Sequence, residues 1–312
     1  MNLRSMCGVL LCVSLATVLL LAVPRAQARE GESLRLGGTF LQLTSTHLEW
    51  TESDWRELFD HFRALGLSRI MVQWSAYEDT HFYSKAGENT GRRSPVETIL
   101  DLADEAGMQV WLGLAVEEKY WTEIAGTPEV VGAYLQGLAQ RSTATATELA
   151  PLAASHAAFA GWYIPQEIDD ASWRDRERRP LLYSFVADLS AALQRLTPNA
   201  SVAVSGFSNA AMDPMAFQTF WEGLLKQAGA IDTVLFQDGI GARKLDLYEL
   251  PLYTAAIRSA AESNSRHVVA IVELFHQVSG PPLDTEAFQA VPAPLERIIR
   301  QLEIARAYAP TA

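Results

Sequence analysis

Seven times along this chain a short apolar, β-branched run gives way to a stretch whose apolar residues fall at helical spacing. Few architectures accommodate that alternation. The runs are Gly38–Leu43, Ile70–Trp74, Val110–Leu114, Gly161–Pro165, Val202–Ser205, Thr233–Phe236 and Val268–Val272. Strands that are apolar on both faces need cover on both faces, which points to a parallel sheet. The segments between them carry helix punctuation. Thr51 with Asp54 makes a capping box ahead of Trp55, Leu58, Phe59 and Phe62, and Gly66 terminates that helix. Ser94-Pro95 with Glu97 opens a second helix that Gly107 ends, and Thr127-Pro128 opens a long Ala-rich one to about residue 153. Further helices are expected over Leu181–Leu196, from Asp213-Pro214, over about 246–263 and over about 294–308. Several begin with proline at the first position, where its missing N–H costs nothing.

This repeat number favours an α/β fold of the (β/α)8 TIM-barrel type over a doubly wound sheet. No Gly-x-Gly-x-x-Gly or P-loop follows any strand, which also weakens a nucleotide-binding reading. No segment after the seventh run reads as an eighth strand. The barrel either closes through a segment not legible as a strand, or stays open between strands one and seven. Residues 29–312 show no internal repeat or low-complexity linker and are read as a single barrel domain.

Residues 1–28 are set apart as a signal peptide. Arg4 precedes the almost unbroken apolar stretch Cys7–Val23, and Ala26-Gln27-Ala28 fits small-residue cleavage after Ala28. A periplasmic or secreted protein is therefore expected, without stable membrane insertion once the segment is removed. Both cysteines, Cys7 and Cys12, lie inside it, so the mature chain has no disulfide and no cysteine metal site. Cleavage also removes Arg4 and Arg25 and takes the formal charge from −12 to −14. Such an acidic chain argues against nucleic acid or an anionic membrane as partner, and says little about a neutral sugar polymer.

In a barrel of this kind the chemistry lies where strands end and the following loops begin. Those ends carry Gln42, Gln73 with Trp74 and Tyr77, Glu117-Glu118, Gln166-Glu167, Gln237-Asp238, and Glu273 with His276. Lys119 is the only cation expected near them, and Glu117-Glu118 read as a solvated loop face. Amides, acids and aromatics suit a carbohydrate, because amides and carboxylates bond hydroxyls while aromatic faces stack on C–H surfaces. Glu167 and Glu273 stand out: each closes a buried strand, and they lie 106 residues apart. Two carboxylates facing each other across a pocket are what glycosidic bond cleavage requires, at about 5–5.5 Å for a retaining mechanism. Gln42, Gln73, Trp74, Tyr77, Gln166, Gln237, Asp238 and His276 are the expected substrate-binding set. Trp162 reads as barrel wall or sugar platform, and Trp121 as a stacking candidate further out in a loop. The six histidines show no His-x-His or His-Glu-x-x-His spacing, so no metal and no cofactor is expected. A metal-dependent hydrolase built on Glu117, Asp238 and His276 is the weakest of the alternatives.

Gly38-Thr39-Phe40-Leu41-Gln42, Val72-Gln73-Trp74-Ser75, Gly161-Trp162-Tyr163-Ile164-Pro165-Gln166-Glu167 and Phe236-Gln237-Asp238-Gly239-Ile240-Gly241 resemble a family of secreted bacterial TIM-barrel domains grouped with glycoside hydrolases, the domain of unknown function 4434 type. The resemblance covers about residues 36–275. More distantly, the chain is similar to the clan A retaining glycosidases. That likeness implies Glu167 as acid/base and Glu273 as nucleophile; with the expected export, a bacterial envelope glycan or exopolysaccharide is the expected substrate. Two departures stand against it. The clan has Asn-Glu after strand four where this chain has Gln166-Glu167, and its aromatic floor from strand eight has no visible counterpart. They motivate the alternative, a non-catalytic glycan-binding barrel serving polysaccharide export or biofilm assembly.

Overall fold

The computed structural model describes residues 35–85, 91–281 and 283–308; the expected signal segment lies outside them. Seven strands form one parallel sheet in chain order: β1 (Gly38–Leu41), β2 (Arg69–Val72), β3 (Gln109–Gly113), β4 (Phe159–Asp169), β5 (Ser201–Phe207), β6 (Thr233–Gln237) and β7 (His267–Ile271). The principal helices between and after them are α1 (Glu52–Ala64), α2 (Pro95–Ala106), α3 (Pro128–Ala154), α4 (Arg179–Leu196), α5 (Pro214–Gln227), α6 (Leu250–Ser263) and α7 (Leu295–Tyr308).

The punctuation read from the sequence works as physical chemistry demands. Asp54 Oδ2 accepts the Thr51 N–H at 2.7 Å and Asp213 Oδ1 accepts the Ala216 N–H at 2.9 Å, each satisfying a donor that a helix start leaves orphaned. Gly107 takes a left-handed φ of 65° to end α2.

Alternate strand residues face two different layers. Ile70, Val110, Leu112, Trp162, Ile164, Val202, Val204, Val234 and Phe236 pack outward under the helices. Met71, Tyr163, Ala203 and Leu235 point inward with Phe40, Trp111, Val269 and Ile271. Phe40 on β1 and Tyr163 on β4 bring their ring centroids within 5.5 Å. Three strand spacings of roughly 4.8 Å would hold them far apart in a flat sheet, so the sheet is curled into a barrel wall. Each fully buried Leu, Ile or Phe in these layers contributes about 1.5–3 kcal/mol relative to exposure.

Closure departs from a complete barrel. After β7 the chain forms an antiparallel hairpin, Phe275–Ser279 against Gln289–Pro292, in a sheet of its own, and then α7. Among the described residues no strand joins β7 to β1. The hairpin escaped the sequence reading because its arms are short and the second ends in Pro292, which cannot donate to a ladder.

Candidate active site

Strand β4 runs further than its apolar core, and a register shift re-aims its end. Ile164 pairs with Val204 and Ile168 with Gly206, so Pro165-Gln166-Glu167 bulge between the two points. Glu167 is thereby half-buried at the mouth of the sheet. Its backbone carbonyl accepts the Tyr120 hydroxyl at 3.0 Å, and its Oε1 accepts the Gln237 amide at 2.7 Å. Burial pushes the Glu167 carboxyl above the usual carboxylate range, against the opposing pull of Gln237 and the Lys244 ammonium.

Glu273 lies two residues past β7 and is held from every side. Its Oε2 accepts the Ala242 N–H at 2.8 Å, with the Gly241 N–H adding to the same carboxylate. Only glycine fits at position 241, since a Cβ there would sit 2.8 Å from Glu273 Oε2 and 2.5 Å from the Phe275 carbonyl oxygen. The Glu273 N–H donates to Asp238 Oδ1 at 3.3 Å, and its carbonyl accepts from Arg297 at 2.9 Å and Gln301 at 3.4 Å. Burial raises its carboxyl too, and the charge on Glu167 adds to that; the two amides and Lys244 oppose it. Neither glutamate is ion-paired among the described residues, and each responds to the same ammonium.

That ammonium is the main residue the sequence reading overlooked. Lys244 follows β6 in a tight loop closed by its own N–H to the Gly239 carbonyl at 2.8 Å, with Gly239 at a φ of 67°. Its Nζ stands 3.0 Å from the centroid of the Phe207 ring. Burial lowers its pKa, against the attraction of Glu167, Glu273, Asp169 and Asp170. Nothing in Gly-Ala-Arg-Lys marks it as a site residue; only the return of the loop does. Lys119, the cation expected here, instead lies 3.7 Å from Glu117. Glu117 is no solvated loop acid. It is 5% exposed and bound by Arg141, because a buried carboxylate must find a cation. Glu118 does face solvent and accepts the Tyr77 hydroxyl at 2.8 Å.

The expected substrate-binding residues divide. Gln237 reaches the centre through Glu167. Gln42 is exposed just beyond β1, and Gln73 is half-buried beyond β2. Gln166 turns the other way: it is 3% exposed and donates to the Ala115 carbonyl at 2.8 Å, which braces the bulge. Asp238 is also behind the site. Its Oδ1 takes the Ile240 N–H of its own turn at 3.2 Å as well as the Glu273 N–H, and its Oδ2 is bound by Gln301. Burial first, and then the Glu273 charge, push its pKa up to about 7. It positions Glu273, not Glu167. Trp74 is 8% exposed, donates to the Leu43 carbonyl at 2.8 Å and packs 5.0 Å from Tyr77. Trp162 is wholly buried wall, bonded to Thr197. His276 sits on the hairpin, 3.0 Å from Arg243. Glu117, Asp238 and His276 thus have separate partners, and no group of His, Cys, Asp or Glu among the described residues could hold a metal ion.

The two carboxyls differ in the donors that meet them. Glu273, with two N–H donors, is the better kept as anion, and Glu167, with one amide, the better kept as acid.

Comparison with known proteins agrees with the architecture. A protein of Escherichia coli K12, named only "Uncharacterized protein YbcH", is 25% identical over 267 residues, 84% of this chain and 82% of its own. Among solved structures, a "putative alpha-L-fucosidase" of Bacteroides thetaiotaomicron is similar at a TM-score of 0.69 and 18% identity, covering 89% of this chain and 84% of that one. A β-galactosidase of the psychrophilic Marinomonas ef1 reaches 0.55 at 12% identity, covering 86% of this chain and 52% of that one. At such identities the likeness establishes the curled β/α barrel fold. The family model described as domain of unknown function, DUF4434, matches residues 36–311, and the chain belongs to that family.

Proposed function

We propose that this protein is a retaining glycoside hydrolase. Glu273 attacks the anomeric carbon and Glu167 protonates the departing oxygen, then activates the water that releases the glycosyl-enzyme. The observation that carries the reading is the pairing itself. Two half-buried carboxyls stand at the ends of β4 and beyond β7, each held by its own neutral donors and both within the field of one ammonium. Double displacement calls for about 5–5.5 Å between them. The glycosidase descriptions of the structural neighbours support the same reading. We further propose a bacterial envelope glycan or exopolysaccharide as substrate, and a periplasmic or secreted location, on the strength of the N-terminal segment 1–28.

The test is a panel of activated 2-deoxy-2-fluoro glycosides followed by peptide mass spectrometry. Label on Glu273 in the native chain, and none in Glu273→Gln, is the expected result. Azide should rescue Glu167→Ala with retained configuration, because azide needs no general base. Hydrolysis of a verified glycan that survives intact in Glu273→Gln would remove the assignment.

A further inference from the structure

Among the described residues no eighth strand supplies an aromatic to the pair of glutamates, yet aromatics gather in the loop after β3. Trp121 belongs to a short helix, Tyr120–Glu123, in the loop after β3, and it is 45% exposed although it is a large apolar side chain. Its ring lies 5.0 Å from Tyr120 and 6.2 Å from Phe207. Both neighbours lead directly to the reacting groups. Tyr120 holds the Glu167 carbonyl, and Phe207 carries the Lys244 ammonium on its face. A tryptophan packed against two aromatics and still nearly half exposed has the form of a stacking platform rather than of a core residue such as Trp162.

Lys244 supplies the polar half. Among the described residues its ammonium makes no hydrogen bond and no ion pair; its contact is the Phe207 ring. The N–H bonds that do not face this ring have no protein acceptor among the described residues. The sign of the surroundings then selects the ligand. Glu167, Glu273, Asp169 and Asp170 all bear on this one cation, so an acidic sugar would add a negative charge to an already anionic site. A hydroxyl meets no such cost.

Resting on the glycosidase reading, we propose that Trp121 and Lys244 form a sugar subsite beside Glu167 that takes a neutral pyranose, its C–H face on the indole and a hydroxyl oxygen on the ammonium. The subsite replaces, from the loops after β3 and β6, the platform that strand eight does not provide.

The experiment is affinity electrophoresis of the mature chain carrying Glu273→Gln, which separates binding from turnover. The gels contain dextran, a neutral bacterial exopolysaccharide, or galactomannan or mixed-linkage β-glucan on one side, and alginate or polygalacturonate on the other. Retardation by at least one neutral polymer and by neither acidic one is expected. Adding Trp121→Ala should weaken that binding about tenfold, and Trp121→Phe should restore part of it, because stacking needs only an aromatic face. Adding Lys244→Met should weaken it about tenfold or more, the range for a hydrogen bond to a charged group. Trp121 is exposed, so its removal leaves no core cavity, and an unchanged melting temperature confirms that the chain is folded. Equal retardation with and without Trp121→Ala overturns the subsite, as does retardation by the acidic polymers alone or by no polymer. The two readings fail separately. A native chain that digests a polymer regardless of Trp121→Ala keeps the glycosidase and loses the subsite. Neutral-polymer binding that depends on Trp121, with no product released by the native chain, does the reverse.

Discussion

Glu167 and Glu273 are held by opposite means. Glu167 sits within a strand whose residues on either side of the bulge pair with β5, and its side chain leans on one amide from β6, two strands along. Glu273 lies beyond its strand and depends on parts that are not sheet: the turn acid Asp238, the amides of Gly241 and Ala242, and Arg297 and Gln301 from the last helix. Where the barrel is continuous, the sheet orients the carboxylate. Beyond β7, where no eighth strand joins the sheet among the described residues, a turn, a loop and α7 take over that work with hydrogen bonds to the Glu273 carboxylate and backbone. The half of the site on β4 should therefore tolerate damage at the chain's end, and the half beyond β7 should not.

The largest effect is expected from the nucleophile itself. Glu273→Gln should lower kcat by about a thousandfold or more on any verified substrate, about 4 kcal/mol of barrier, since it replaces the attacking carboxylate with an amide that is no nucleophile. The comparison breaks if Glu167→Gln leaves a good substrate equally fast. Next comes the helix that stands in for strand eight. Arg297 binds the carbonyls of both Glu273 and Phe275, so Arg297→Met should take a charged donor from two half-buried acceptors and leave Glu273 with Gln301 alone. A loss of about 2–4 kcal/mol by urea unfolding is expected, with kcat falling alongside. A variant that is destabilised yet fully active would show that α7 braces the fold without orienting the nucleophile.

A smaller effect sharpens the other half. Gln237→Leu removes the donor to Glu167 and so favours its neutral form. The alkaline limb of the pH–rate profile should move to higher pH, with kcat reduced about tenfold. An unmoved limb would mean that Gln237 does not set the ionisation of the acid.

The smallest effect near neutrality belongs to Asp238. Its folded pKa of about 7 lies above its ordinary value of 3.8. A raised folded pKa means that its contribution is complete below pH 3.8 and is lost as pH rises through about 7. The native chain should therefore lose stability across that window relative to Asp238→Asn, whose side chain keeps an acceptor for Ile240 and Glu273 but cannot ionise. Parallel melting curves at pH 5 and pH 8.5 should show the variant relatively more stable at the higher pH. Identical differences at the two values would place the Asp238 titration elsewhere.

Much of the barrel was legible because its signals are local. Helix starts at Thr51, Ser94 and Asp213 rest on contacts three residues apart, and each strand declares itself by composition within five or so residues. The positions of Glu167 and Glu273 followed from the same reasoning, since a carboxylate after an apolar strand needs no distant partner to be noticed. Trp121 was equally visible as a loop aromatic, although its neighbours were not.

What the sequence by itself determined, then, is the alternation of strand and helix, the caps, and which side chains leave the sheet at its carboxyl edge. Only the tertiary structure decided which of those side chains work together. Gln166 and Glu167 are consecutive, yet the bulge in β4 sends one to the Ala115 carbonyl and the other to Gln237. Asp238 meets Gln301 across 63 positions of chain, and Lys244 reaches Phe207 by a loop whose sequence advertises nothing. Periodicity reports the surroundings of a residue within a few positions. A hydrogen bond or a cation over a ring is fixed by where the chain returns, and that depends on every register and every turn between the partners.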